Sequence, residues 1–197
     1  MNNVDLAMMG FAMIGLPMNP ELQRRAAAIR LLLLDVDGVL TDGVIFCVPG
    51  TAGETYETKG FNSQDGIALQ WLARNGIQTG LISGRVSQST EVRAKQLGMA
   101  HVYQGHVEKL PVLEEIIARS GLAPASIAYA GDDLVDVPLM RRVGLAFAPA
   151  NARPEVKKAA HYVTAACGGA GAVREMVEIL MQAGDTWAAI LKHYEAL

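Results

Sequence analysis

Two aspartates one residue apart, Asp35 and Asp37, follow four consecutive leucines in IRLLLLDVDGVLTDG, residues 29–43. Burying a carboxylate without a partner costs several kcal/mol, so an apolar run that delivers two of them to one place needs other charges nearby. Three more polar clusters supply them: Ser83, Gly84 and Arg85 in LISGR, Lys109 in GHVEKL, and Asp132, Asp133 and Asp136 in AGDDLVD. Crowded carboxylates repel one another, and a hard divalent cation relieves them. Oxygen ligands shared with a phosphate suit Mg²⁺. Ser83 and Lys109 would then hold the phosphate opposite the metal, one aspartate attacking phosphorus and the other managing the proton.

Each cluster falls where a strand ends. NPELQRRAAAIR (19–30) opens as a helix, with Asn19 to cap it, Pro20 in the first helical position and Glu21 at the positive end of the dipole. Residues 31–34 read as a strand buried on both faces. VIFCV (44–48) and ETYET (54–58) flank PGTAG and read as a hairpin. Helix 65–76, strand 77–83, helix 87–97, strand HVYQG and helix 108–120 follow. Strand 126–131, helix LVDVPLMRRVG, strand GLAFAP, a short helix at Pro154, edge strand HYVT, helix 171–184 and a last helix complete the chain. This alternation predicts an α/β fold: a doubly wound, Rossmann-like, mostly parallel sheet with a hairpin inserted after the first strand. Ligands of such folds bind beyond the carboxyl ends of the strands.

The chain has 197 residues, about half of them apolar, enough for one well-buried domain. We expect residues 1–18 to be a tail and 19–197 a single domain. A net charge of −3 and the lack of any Lys/Arg cluster with interleaved aromatics argue against a nucleic-acid partner. The apolar stretch in MNNVDLAMMGFAMIGLPMNP is too short to span a bilayer and has no basic flank, so neither a membrane nor a signal peptide is expected, and the cytoplasm is the default location. Cys47 and Cys167 read as small buried hydrophobes of a reducing compartment.

DVDGVLTDG, SGR, Lys109 and GDDLVD resemble, in order, the four motifs of the haloacid dehalogenase superfamily. FNSQDG, YQG, AYAGDD, GLAFAPANARPEV and GGAGAVRE are similar to its capless phosphatases of 3-deoxy-D-manno-octulosonate 8-phosphate, from about residue 20 to 182. The resemblance implies Asp35 as nucleophile and Asp37 as the acid and base. It implies Mg²⁺ on the Asp35 carboxylate, the Asp37 main-chain carbonyl and Asp132. Ser83, Gly84 and Lys109 would bind the phosphoryl group, and Asp133 and Asp136 would orient Lys109 and metal-bound water. A phosphorylated sugar acid is the implied substrate, and lipopolysaccharide synthesis the implied setting.

Neither the stretch from Asp42 to Leu81 nor that from Arg85 to Lys109 has room for a cap domain. The site would be open on a monomer. The resemblance implies a homotetramer built on hairpin 44–58, whose Val44, Ile45, Phe46 and Val48 are too apolar for an exposed ribbon.

Family members carry an arginine where this chain has Gln64, and a glycine near Ala68. Arg85 and Arg174 are then the candidate partners for a substrate carboxylate, and a nonulosonate 9-phosphate is an alternative substrate. A non-catalytic assembly module is the alternative of another class, against which the intact acid set speaks. The four histidines show no metal-ligand spacing and read as structural or surface residues, His106 included.

Overall fold

A computed structural model describes residues 18–197. Six parallel strands form the main sheet: β1 (Leu31–Leu34), β4 (Gln78–Ile82), β5 (His101–Tyr103), β6 (Ile127–Ala130), β7 (Leu145–Ala148) and β8 (Tyr162–Val163). Their spatial order is β5-β4-β1-β6-β7-β8, so β1 and its aspartates lie centrally, paired with β4 on one side and β6 on the other. β8 is an edge strand, as expected.

The alternation of side chains along β1 divides the core in two. Leu32 and Leu34 face α1 (Pro20–Ala27), α2 (Ser63–Arg74), α3 (Gln88–Leu97), α7 (Ala172–Ala183) and α8 (Trp187–His193). Leu31 and Leu33 face α4 (Leu110–Ser120), α5 (Val137–Met140) and α6 (Pro154–Ala159). All four leucines are fully buried. Burying a side chain of this size contributes about 1.5–3 kcal/mol relative to leaving it exposed, so register slips that would turn strand ends away from the rim are strongly disfavoured.

Asn19 caps α1 through its side chain, accepting from the Leu22 N–H at 2.8 Å. The helix expected over LVDVPLMRRVG is split into a single tight turn, Leu134–Asp136, followed by α5. Pro138 has no N–H to give the Leu134 carbonyl, which removes the bond that would have joined the two.

β2 (Phe46–Pro49) and β3 (Thr55–Thr58) make the expected hairpin, antiparallel and separate from the main sheet, with Phe46 opposite Thr58. Val44, Phe46, Val48 and Tyr56 are about half exposed on it. Among the described residues no cap domain interrupts either insertion point. The tail expected over residues 1–18 lies outside the described residues except for Met18, which packs against the core.

Candidate active site

A cleft of about 370 Å³ opens at the carboxyl ends of β1, β4 and β6. Asp35, Asp37, Gly84, Arg85, Lys109, Asp132 and Asp133 line it. Larger depressions of about 780 and 880 Å³ lie on the opposite rim and between the hairpin and α3, but neither gathers opposed carboxylates and a buried ammonium. The charge chemistry selects the smaller cleft.

Lys109 is buried at the start of α4 and spans two acids, 2.8 Å from Asp35 Oδ1 and 2.7 Å from Asp136 Oδ1. Burial works against its charged form, yet the two carboxylates outweigh it and hold Lys109 above its ordinary pKa. Asp136 is fully buried. It also accepts from the Tyr129 hydroxyl at 2.6 Å and, through Oδ2, from the Asp132 and Asp133 N–H groups. Its oxygens are committed to holding Lys109 and the β6–α5 turn. Asp133, expected to act on Lys109 as well, is exposed and makes no bond to it. Its carboxylate accepts from the Leu134 N–H at 2.7 Å and caps the turn. A short side chain at a cap position bonds the nearest free N–H first.

Burial and the neighbouring Asp136 push Asp35 up to about 6, against the pull of Lys109. Burial followed by repulsion from Asp35, Asp136 and Asp133 pushes Asp132 up to about 7. One oxygen from each of Asp35, Asp132 and Asp136 lies within 4.8 Å of the others.

The loop after β1 is held from behind. Gly38 has φ +87°, and a β-carbon there would overlap the Asp132 carboxylate. Only glycine lets the acids of β1 and β6 approach this closely. The Gly38 carbonyl accepts from Asn151 Nδ2 at 3.0 Å, and Asn151 Oδ1 accepts from the Gly168 N–H at 2.7 Å. A β-carbon on Gly168 would overlap the Gly38 carbonyl, so the GGAG segment packs directly against the loop after β1. Asp65, buried on α2, accepts from the Arg174 N–H at 2.7 Å and anchors the start of α7 that follows this segment.

Ser83 is buried behind Gly84 at the end of β4, its Oγ accepting from the Arg85 N–H at 3.2 Å. Arg85 is half exposed at the mouth and pairs with Glu57 of β3 at 2.7 Å. Asp37 pairs with Lys59, 2.6 Å from Oδ1 and 2.8 Å from Oδ2.

Residues 81–175 match the model of the haloacid dehalogenase-like hydrolases. The chain is 44% identical over 169 residues to the 3-deoxy-D-manno-octulosonate 8-phosphate phosphatase KdsC of Yersinia pestis, covering 86% of this chain and 88% of that one. A crystal structure of the Moraxella catarrhalis 3-deoxy-D-manno-octulosonate 8-phosphate phosphatase, in complex with magnesium ion, phosphate ion and KDO, superposes with a TM-score of 0.84 at 36% identity, covering 90% of this chain and 99% of that one. The cobalt-bound deoxy-D-mannose-octulosonate 8-phosphate phosphatase of Haemophilus influenzae gives 0.77 at 34% identity, covering 84% and 94%.

The chain belongs to the 3-deoxy-D-manno-octulosonate 8-phosphate phosphatase family of haloacid dehalogenase-like hydrolases. It is a phosphoric monoester hydrolase, and the Moraxella relative binds magnesium. The donor set of this phosphatase fits the ion. Asp35 and Asp132 are hard oxygen donors whose ionised forms burial and mutual repulsion disfavour, and a cation between them removes that penalty. Asp136, tied to Lys109 and Tyr129, serves the lysine instead.

Other residues of the phosphatase behave differently from their sequence reading. Arg174 does not line the cleft: its guanidinium lies 4.4 Å from the Trp71 ring centroid and 5.4 Å from that of Trp187, and it pairs with Glu178. His106, by contrast, is exposed in keeping with its reading as a structural or surface residue, and meets Tyr103 edge-on. Cys47 and Cys167 are both exposed, because one sits on the hairpin and the other on the GGAG loop rather than in the sheet. Lys59, Tyr129 and Asn151 join the site with no motif of their own to mark them. Asn151 and Tyr129 lie inside the family-like stretches APANARPEV and AYAGDD, and Lys59 lies outside any such stretch.

Proposed function

We propose that this phosphatase hydrolyses 3-deoxy-D-manno-octulosonate 8-phosphate to the free sugar acid and inorganic phosphate. The observation that carries the reading is the pairing of Asp35 with Lys109 and Asp132 at the end of β1, in a chain 44% identical to a phosphatase of that substrate. Asp35 attacks phosphorus and forms an aspartyl-phosphate as the sugar alkoxide departs. Asp37 gives that alkoxide its proton and then takes one from the water that releases phosphate. Asp35, Asp132 and the Asp37 carbonyl would hold Mg²⁺, which when bound offsets phosphoryl charge. Lys109, Ser83 and the backbone at Gly84 take up the remaining charge on the transferring oxygens. Asp136 keeps Lys109 extended toward Asp35.

Residues 19–197 act in this reading as a single phosphatase domain with residues 1–18 as a tail. The half-exposed Val44, Phe46 and Val48 support assembly into a homotetramer through the hairpin. Light scattering coupled to sizing at micromolar concentration tests this, and a purely monomeric species would rule it out. None of the described helices is long and apolar enough to cross a membrane, and a cytoplasmic location belongs to the same reading.

A second substrate is favoured by Gln64, which stands exposed on the first turn of α2 where the family resemblance implies an arginine. With Arg174 stacked on tryptophans, Arg85 is the remaining candidate for a substrate carboxylate. Phosphate release with Mg²⁺ or EDTA, over the octulosonate 8-phosphate, a nonulosonate 9-phosphate, hexose phosphates and p-nitrophenyl phosphate, separates the readings. Selective metal-dependent turnover of the octulosonate ester is expected. Preference for the nonulosonate ester would move the assignment, and no turnover of any ester would overturn it.

A further inference from the structure

Lys59 immediately follows β3, and its side chain is fully buried. It grips both carboxylate oxygens of Asp37, at 2.6 and 2.8 Å. Glu57 Oε1, itself buried and without a hydrogen bond, stands 3.4 Å from the same ammonium. The other oxygen of Glu57 holds Arg85 at 2.7 Å. A chain of alternating charges thus runs from Asp37 through Lys59 and Glu57 to Arg85, and two of its four members belong to the hairpin stem.

A buried ammonium that loses its carboxylate is strongly penalised, so the stem cannot shift away from Asp37 without stranding Lys59. The converse constraint acts on Asp37. Its carboxylate is exposed enough to swing, and a two-oxygen contact leaves it one orientation. We propose that Lys59 is a positioning residue, fixing the Asp37 carboxylate for proton transfer and tying the hairpin to the chemistry at the β1 rim. The proposal rests on the reading of Asp37 as the proton donor.

The test compares the Mg²⁺-loaded full chain on two esters: the octulosonate 8-phosphate, whose alkoxide needs a proton to leave, and p-nitrophenyl phosphate, whose phenolate leaves without one. Lys59→Met should lower kcat on the sugar ester by about 10- to 100-fold, the range for residues that orient a catalytic group. KM should change little, and the loss on the aryl ester should be much smaller. Lys59→Arg should restore most of the rate. In an Asp37→Asn background Lys59→Met should cost nothing further, because the group it positions is gone. Equal losses on both esters, or full additivity with Asp37→Asn, would overturn the proposal. If Lys59→Met does not fold by circular dichroism, Lys59→Gln is read in the same way. Asp37→Asn alone separates the two levels of the argument. If it slows both esters equally, the proton-donor reading itself fails. If it slows the sugar ester selectively while Lys59→Met matches wild type, only the role of Lys59 fails.

Discussion

Two buried lysines hold the two aspartates of the β1 rim, and they do so from different parts of the molecule. Lys109 comes from α4 and binds Asp35 together with Asp136 and Tyr129, all carried by elements of the main sheet or packed on it. Lys59 comes from the hairpin and binds Asp37 together with Glu57. The first cluster is fixed by β1, β6 and α4, whose positions follow from a doubly wound core. The second depends on an insertion outside the main sheet, whose β3 rests against α3. The difference teaches that Asp35 and Asp37, two residues apart in sequence, are held by different elements. One is set by the fold and the other by an added element open to influence from whatever packs on the hairpin.

Breaking the sheet-borne cluster should cost most. Asp35→Asn should abolish turnover on every ester in a phosphate-release assay while leaving the far-ultraviolet circular dichroism unchanged. Asp37→Asn should lose ~10²- to 10⁴-fold in kcat on the sugar ester, the usual contribution of general acid–base catalysis. Lys109→Met should lose ~10²- to 10³-fold, the scale for removing one donor to developing oxyanion charge. Asp136→Asn spares the lysine and only loosens its hold, so about 10- to 100-fold in kcat is expected. If Asp136→Asn were as damaging as Lys109→Met, the lysine would need its second carboxylate to function at all, and the contrast between anchored and anchoring groups would fall.

The smallest effect is on stability. Asp35 and Asp132 keep protons in the folded chain up to about pH 6 and 7, against an ordinary value of 3.8. The folded state therefore binds more protons than the unfolded one across that interval, and without metal its stability should fall as pH rises from about 4 to 7. Mg²⁺ needs both groups ionised, so the stabilisation it gives should grow over the same interval, toward about 2.7 kcal/mol at a hundredfold excess over Kd, and its shift in Tm should grow with it. Differential scanning fluorimetry with Mg²⁺ and with EDTA at pH 5 and pH 8 reads this directly. An equal shift at both values would place the metal away from these carboxylates.

The legibility of the molecule follows the same division. Strand-then-carboxylate patterns, helix caps such as Asn19 and the terminators Gly98 and Gly121 are local signals, and the alternation of strand and helix follows from them. Lys59 had no such signal: a single lysine in ETKG gains meaning only when β3 ends against the β1 loop. Arg174 has no local signal either: the tryptophans it lies against are about a hundred residues away on α2 and nearby on α8. Cysteine as a residue type points to burial, but the hairpin and the loop that carry Cys47 and Cys167 are exposed. Asp133 and Asp136 look alike in GDDLVD, and only the three-dimensional turn shows that one caps it while the other grips Lys109.

The central claim is that Asp35 becomes covalently phosphorylated. Quenching the Mg²⁺-loaded enzyme during turnover, reducing it with borohydride and sequencing the peptide that contains residues 31–59 by mass spectrometry tests this directly, since reduction of an aspartyl-phosphate leaves homoserine. The account predicts homoserine at position 35 and nowhere else. An unmodified Asp35, or reduction at another carboxylate while phosphate is being released, would contradict it.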